Sequence, residues 1–376
     1  MGRFPSVDLR RAARLAAMVA AVSLIAAACQ TTDNDNGGGG SSGGGEKKIA
    51  LLLPETKTAR YEAADRPMFE AKVKALCADC QFIYSNADQK ADQQQNQADA
   101  ALTNGAKVMV LDPVDSASAA SIVSKAKSQN VPVISYDRLI TNADVDYYIS
   151  FDNEKVGKLQ GQALVDKLKE DGKSSGTVVM INGAPTDNNA KLFKKGAHTV
   201  LDSSGFKVGK EYDTPDWSPD KAQDEMEQAI TALGKDGFDG VYAANDGTGG
   251  GAIAAMKSQG IKPGDRPTTG QDAELAAIQR ILAGEQYMTI YKPIRPEAEA
   301  AAELAVNLVN GNKSGADALA KKTENNGQKD VPSIIFDPVV VTKDNVKDTI
   351  VKDNFHPVDK LCSGAAASAC QAAGIS

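Results

Sequence analysis

Aromatic residues are scarce in this chain of 376 residues, at 5% of the total with a single tryptophan, Trp217. Histidine is scarcer still: His198 and His356 are the only two. No Ser/His or Cys/His set is visible, so nucleophilic catalysis of the triad kind has no candidate. Net positive charge is missing too. The formal charge is −7, whereas a nucleic-acid binder normally presents a basic face. The only long apolar run, Leu15–Ala28, is too short for a transmembrane helix. What remains is ordinary for a globular protein, with 42% hydrophobic and 24% charged residues. The length suits about two domains.

The first residues read as an export signal. Arg3, Arg10, Arg11 and Arg14 form a basic region ahead of the apolar run. The run closes as Leu24-Ile25-Ala26-Ala27-Ala28-Cys29. Small residues directly before a cysteine resemble the bacterial lipoprotein signal, which implies that Cys29 is lipidated and becomes the new N-terminus. Ala26 stands where that signal usually has Leu, and plain secretory cleavage near Ala28 is the alternative. Gln30–Gly45 contains no apolar residue and ends in a Gly/Ser tract, a composition that cannot bury a core. Residues 1–29 are therefore expected to be a lipoprotein signal and 30–46 a flexible tether.

Four further cysteines, Cys77, Cys80, Cys362 and Cys370, suggest disulfides in an exported chain. A redox Cys-x-x-Cys follows a strand and opens a helix. Cys77-Ala78-Asp79-Cys80 instead ends a helix, which favours a local structural bridge. Cys362 and Cys370 flank a small-residue tail and are expected to pair with each other. Cross-pairing between the two sites, or zinc held by all four, are the other options.

From Lys48 onward apolar runs alternate with amphipathic segments. Strands are predicted at Ile49–Leu53, Phe82–Tyr84, Val108–Leu111, Val131–Tyr136 and Tyr147–Phe151, separated by helices. The runs are continuous rather than alternating, as in a parallel sheet covered on both faces. A second set follows, with strands at Thr177–Asn182, Phe206–Tyr212, Gly240–Ala244, Thr268–Gly270 and Met288–Tyr291. A helix at Glu297–Val309 and a strand at Ile334–Val341 read as crossings back between two similar lobes. The fold class is thus α/β: two Rossmann-like, doubly wound lobes joined by a hinge, with a cleft between the sheet rims.

Candidate functional residues gather after the strands. Arg60 and Tyr61 follow the first, and Asp137 and Arg138 follow Val131–Tyr136. In the second set the strand ends carry Asp187 and Asn189, Trp217, Asn245, Asp272 and Lys292. Any one Asp or Asn there could simply cap a helix. Together they offer carboxylates, amides, cations and aromatic faces on one rim, which suits a ring dense in hydroxyls.

These same stretches resemble a known family. Tyr136-Asp137-Arg138, Tyr148–Gly157, Asp187–Phe193, Gly270-Gln271-Asp272-Ala273 and Tyr291-Lys292-Pro293-Ile294 are similar to the xylose-binding branch of the solute-binding proteins of sugar ABC transporters. That branch belongs to the ribose/galactose/xylose-binding group, and the resemblance runs from about Lys47 to His356. It implies the type I periplasmic binding fold, with three crossover segments in the hinge and no catalysis, cofactor or metal. It implies a first lobe of residues 47–152 plus 294–332 and a second of 153–293 plus 333–360, with a cysteine-containing tail at 361–376. Arg60, Asp137 and Arg138 would contact a monosaccharide, D-xylose first, from one lobe. Asp187, Asn189, Trp217, Asn245, Asp272 and Lys292 would do so from the other lobe and the hinge. Trp217 would be a stacking platform and Tyr61 a second. The implied partners are a permease and an ATPase, with the protein monomeric, exported, and held to the cell membrane by its lipid. The same cleft would also serve a sugar sensor docking on a receptor.

A different class stays in competition. Gly247-Thr248-Gly249-Gly250-Gly251-Ala252 follows a strand and opens a helix, as in the relaxed dinucleotide fingerprint, and Asp265 lies near the distance expected for a ribose-binding acid.

Overall fold

The computed structural model describes residues 46–375. The export signal, Cys29 and nearly all of the tether lie outside the described residues. The elements follow in chain order: β1 Lys48–Leu53, a π-helical turn at Tyr61–Asp65, α1 Arg66–Leu76, β2 Gln81–Asn86, α2 Ala91–Thr103, β3 Val108–Leu111, α3 Ala120–Ser128, β4 Val133–Tyr136 and β5 Tyr147–Phe151. Then come α4 Asn153–Glu170, β6 Gly176–Asn182, α5 Asn188–Leu201, β7 Phe206–Asp213, α6 Pro219–Leu233, β8 Gly240–Ala243, α7 Asp246–Ser258, α8 Leu275–Ala283 and β9 Met288–Tyr291. The chain closes with α9 Ile294–Val309, α10 Lys313–Leu319, β10 Lys322–Asn325, β11 Asp330–Phe336, β12 Val339–Thr342, α11 Val358–Leu361 and α12 Ala367–Ala372.

The first lobe holds a seven-stranded sheet ordered β10-β11-β5-β4-β3-β1-β2, parallel except for β10. Successive side chains of a strand face opposite sides. Accordingly Ile49, Leu51 and Leu53 pack under α1 and α9, while Ala50 and Leu52 pack under α2 and α3. Burial on both faces is why β1 reads as an unbroken apolar run.

The second lobe repeats the plan. β7-β6-β8 pair in parallel, Val178 and Met180 facing one core and Val179 and Ile181 the other. Single parallel bridges, Val241 to Thr268 and Gln271 to Ile290, carry the sheet on to the antiparallel pair β9-β12. The strand predicted at Thr268–Gly270 is only these two bridges.

Three segments cross between the lobes: β5 to α4, β9 to α9, and β11 to β12. The helix predicted at Glu297–Val309 crosses back, packing Ala298, Ala301 and Leu304 into the first-lobe core. The strand predicted at Ile334–Val341 is corrected. It breaks at Asp337-Pro338, because proline has no N–H to give a ladder. Its first part, β11, pairs with β5, so the first lobe runs through Phe336 rather than ending at 332. The tail is not a free appendage. Ile350, Leu361, Cys370 and Ile375 pack with Ile278, Ile281 and Tyr291 of the second lobe.

Cys77 is bonded to Cys80 and Cys362 to Cys370, with Cα separations of 5.3 and 5.6 Å. The cross-pairing and zinc options are absent from this arrangement.

Candidate functional site

The first wall of the cleft starts where β1 ends. Glu55 turns back on its own loop, its Oε2 accepting from the amides of Lys57 at 2.5 Å and Thr58 at 2.9 Å. This fixes the approach to Arg60, whose guanidinium is clasped by carboxylates. It donates to Asp65 at 2.6 and 2.9 Å, to Glu297 Oε2 at 2.6 Å and to Asp137 Oδ1 at 3.4 Å. Just beyond β4, Asp137 takes a left-handed conformation with φ of 52°. Its carbonyl accepts from Ser150 Oγ at 2.6 Å, Asn189 Nδ2 at 3.0 Å and Tyr148 at 3.2 Å. The Tyr61 hydroxyl donates to Asp137 Oδ2 at 2.9 Å and accepts from Arg138 Nη2 at 3.2 Å.

The opposite wall is built on helix starts and tight turns. Asp187 caps α5, Oδ1 accepting from the amide of Asn189 at 2.8 Å, while Oδ2 accepts from Trp217 Nε1 at 3.1 Å. Asn245 and Thr248 cap α7 reciprocally. The capping and ligand-binding readings of Asp187 and Asn245 are therefore compatible: each caps a helix and faces the cleft. Asp216 and Trp217 have φ of 62° and 54°, and the indole lies across Gly183, where a Cβ would come within 1.9 Å of the ring. Only glycine leaves that space. Phe193 meets the indole edge-on at 6.4 Å. Asp272 and Ala273 also sit at positive φ, 90° and 50°. That turn is tied by Asp272 N to Ile290 O at 2.8 Å and by His356 Nε2 donating to Ala273 O at 2.7 Å. Lys292 Nζ, just past β9, lies 2.9 Å from Asp272 Oδ1 and 3.8 Å from Asp137 Oδ1.

Between the walls lies a small closed cavity of about 20 Å³. That is space for about one water, so any larger solute needs the walls further apart than they stand here. All ten residues expected from the sequence line it: Arg60, Tyr61, Asp137, Arg138, Asp187, Asn189, Trp217, Asn245, Asp272 and Lys292. Each is 2–4% exposed, so the cleft is shut. Thr58, Phe193 and Gln271 complete the lining and were not singled out from the sequence. Phe193 follows Asn189 by one helical turn, so the 3.6-residue period of α5 could have found it. Gln271 stands in the Gly270-Gln271-Asp272-Ala273 motif, directly before Asp272. Tyr61 is held by its hydroxyl between Asp137 and Arg138, so it serves the charged network as well as offering a ring.

Charge in this site is lopsided. The buried carboxyls of Glu55, Asp65, Asp112, Asp137, Asp187, Asp272 and Glu297 outnumber the buried cations Arg60, Arg138 and Lys292. Burial pushes Asp137 up, but Arg60, Lys292 and Arg138 outweigh it and hold that carboxyl at about 2. Burial pushes Asp112 and Glu297 well above the usual carboxylate range, and Asp187 and Glu55 upward, against the pull of the arginines. Burial thus favours the uncharged form of these carboxyls. Burial disfavours the Lys292 charge, yet Asp272 and Asp137 more than offset it and raise its pKa. At the cleft mouth Glu274 accepts from the first-lobe amide of Ala59 at 3.4 Å. Burial, with Asp246 and Asp272 nearby, raises Glu274 to about 8. Burial raises Asp246 to about 7.

Three polar atoms on the cavity wall lack a hydrogen-bond partner: Arg138 Nε, Gln271 Oε1 and Asp272 Oδ1. Arg138 Nε is 3.1 Å from Asp187 Oδ2, and Lys292 is close to Asp272 Oδ1, but both contacts are ion pairs without hydrogen-bond alignment. Gln271 Oε1 is thus an acceptor without a partner, while Arg138 Nε and Asp272 Oδ1 are held by charge.

The dinucleotide reading fails on geometry. A Cβ at Gly251 would meet Pro219 O at 2.2 Å, and one at Gly249 would meet Thr269 O at 3.0 Å. These glycines let α7 pack closely against its neighbours. Asp265 sits exposed in a 3₁₀ turn, away from any strand end.

Two doubly wound lobes closing through three crossings on a small polar cavity define a clamp for a small solute, not a catalyst. The chain belongs to the periplasmic binding protein family, whose domain model matches residues 49–313. It is 42% identical over 317 residues to the D-xylose-binding periplasmic protein of Escherichia coli K12, covering 83% of this chain and 92% of that one. It is 40% identical to the Haemophilus influenzae D-xylose-binding periplasmic protein, covering 83% and 91%. Among solved structures, an ABC transporter solute-binding protein from Clostridium phytofermentans with bound β-D-glucose superposes with a TM-score of 0.75 at 28% identity, covering 84% of this chain and 99% of that one. A carbohydrate transporter solute-binding protein from Chloroflexus aurantiacus in complex with D-glucose gives 0.75 at 29% identity, covering 83% and 97%.

Proposed function

We propose that this protein captures a single monosaccharide, D-xylose first, in the cleft and presents it to the permease of an ABC importer. The observation that carries this reading is the gathering of carboxylates, cations, amides and aromatic faces around one closed cavity, with Gln271 Oε1 unpartnered among its lining. A buried polar group without a partner costs on the order of 1–3 kcal/mol, and sugar hydroxyls both donate and accept. Hydroxyls would donate to Asp272 Oδ1 and Gln271 Oε1 and accept from Arg138 Nε. Asn189 and Asn245 have amide groups at the same cavity, and Trp217 with Phe193 offers an apolar face for ring C–H groups. The names of the relatives point the same way.

In this mechanism sugar settles against one wall, the hinge rotates, and the second wall completes the hydrogen bonds while excluding water. The closed form offers a joint surface of both lobes, so a permease can tell loaded from empty. ATP hydrolysis belongs to the partner chains. The arginine-rich start, the apolar run and Cys29 support export and lipid anchoring. A Cys29→Ser chain is expected to leave the membrane fraction.

Calorimetric titration of residues 46–376 with xylose and a panel of pentoses and hexoses tests the reading. One-to-one binding of one sugar at micromolar or tighter affinity is the expected result. Silence across the panel would refute it.

A further inference from the structure

The lobes also touch beside the cavity, through residues that do not line it: Val114 and Ser116, on a loop of the first lobe, meet Thr186 and Asn188 of the second, on either side of Asp187. Ser116 N donates to Thr186 O at 3.0 Å, Thr186 Oγ1 donates to Val114 O at 3.3 Å, and Asn188 N donates to Ser116 Oγ at 3.1 Å. The loop is stiff. Gln94 bonds Asp112 O at 2.7 Å and accepts from Val114 N at 2.8 Å, and Thr141 N donates to Ser116 O at 2.8 Å. Ser116 is 2% exposed and lies outside the cavity lining.

Asn188 is the first residue of α5, where helix amides have no partner within the helix. Asp187 satisfies the next amide, that of Asn189. The amide of Asn188 is satisfied by a hydroxyl from the other lobe. When the lobes separate, this bond must break. We propose that Ser116 is a closure latch: it caps α5 across the cleft and sets how long the sugar is held, without touching it. This rests on reading the cleft as a sugar site.

Two substitutions remove the same bond from opposite sides. Ser116→Ala deletes the acceptor. Asn188→Pro deletes the donor at a helix position that tolerates proline, and the preceding residue already has the extended backbone, φ −93° and ψ 124°, that proline requires. Stopped-flow measurements on the full chain would follow association and release of xylose and of each other sugar that binds. Each variant is expected to speed release by about 5- to 10-fold, in line with the loss of a helix cap. The factor is the same for every sugar, association is unchanged, and the melting temperature of the sugar-free protein is unchanged. Ser116→Thr, which keeps the hydroxyl, restores slow release. The double variant releases no faster than either single one, because both remove one interaction.

Wild-type binding with equal release rates in all variants overturns the latch alone. An additive double variant, or faster release traced to a less stable sugar-free protein, also overturns it. Absence of sugar binding by the wild type removes the sugar reading and the latch with it.

Discussion

The two walls of the cavity are held in place by different physics. On the first-lobe wall, position comes from charge: Arg60 is gripped by Asp65, Glu297 and Asp137, and Arg138 lies among Glu55, Asp112 and Asp187. On the second-lobe wall, position comes from the backbone. Two helix caps aim Asp187 and Asn245, and two left-handed turns aim Trp217 and Asp272. Asp137 shares both devices. A buried charge network cannot lose one member without leaving the others uncompensated. A capped or turned backbone can lose a side chain and keep its shape. Substitutions on the first wall should therefore damage fold and binding together, and those on the second mainly binding.

The sharpest test is Arg60→Met. It strips partners from Asp65 and Glu297, and breaking a buried pair costs about 3–5 kcal/mol. Thermal unfolding should fall accordingly, and sugar binding should vanish from a calorimetric trace. Asp272→Asn sits on the other wall. Binding should weaken by about 2–5 kcal/mol, as for loss of one partner of a buried charged hydrogen bond, with unfolding far less affected than in Arg60→Met. Equal stability losses in the two variants would erase the contrast between the walls.

Trp217→Ala blurs that contrast in an instructive way. The indole lines the cavity but also packs in the second-lobe core with Phe193. Removing it should cost about 3 kcal/mol of stability, as for other large core truncations, besides weakening binding. Differential scanning calorimetry of the sugar-free variant separates the two losses.

The smallest effect concerns pH. Glu274 is at about 8 in the closed structure, against 4.5 for a free glutamate. Burial is the main cause, and the first-lobe edge at Ala59 is expected to supply part of it on closing, so that the closed form binds the proton more tightly. Its support for closure is complete below about 4.5 and is lost as pH rises through about 8. The side chain is partly exposed, so screening should reduce the effect to about 3-fold in affinity, not tenfold per pKa step. Glu274→Gln should flatten that slope in titrations at several pH values. Asp246, at about 7 and facing Gln286, Thr289 and the Glu274 amide, should leave a residual slope.

Much of this was legible in the chain because parallel strands buried on both faces are continuous apolar runs. β3, β5 and β9 coincide with the predicted spans. The site residues were legible because they follow those runs directly. The break at Pro338 was hidden, since Ile334–Phe336 and Val339–Val341 are apolar on either side of it. α10, β10 and the tail helices were missed for the opposite reason: they are short and rich in Lys, Ala and Gly, without a clear period. The carboxyls behind the arginines left no local trace. Glu297 lies 237 residues from Arg60 in sequence, and only the return of α9 brings it into contact. Ser116 was equally silent, as its partner lies on another lobe.

The late return of β11 into the first sheet also governs when that lobe can form. β5 lacks its second neighbour, and Arg60 lacks Glu297, until residues 294–336 are available. A chain emerging from its N-terminus therefore cannot finish even its first lobe until most of its length has appeared. Contacts so distant in sequence close slowly. For the exported chain proposed above, such an order of completion would suit passage through a membrane before the lobes close up.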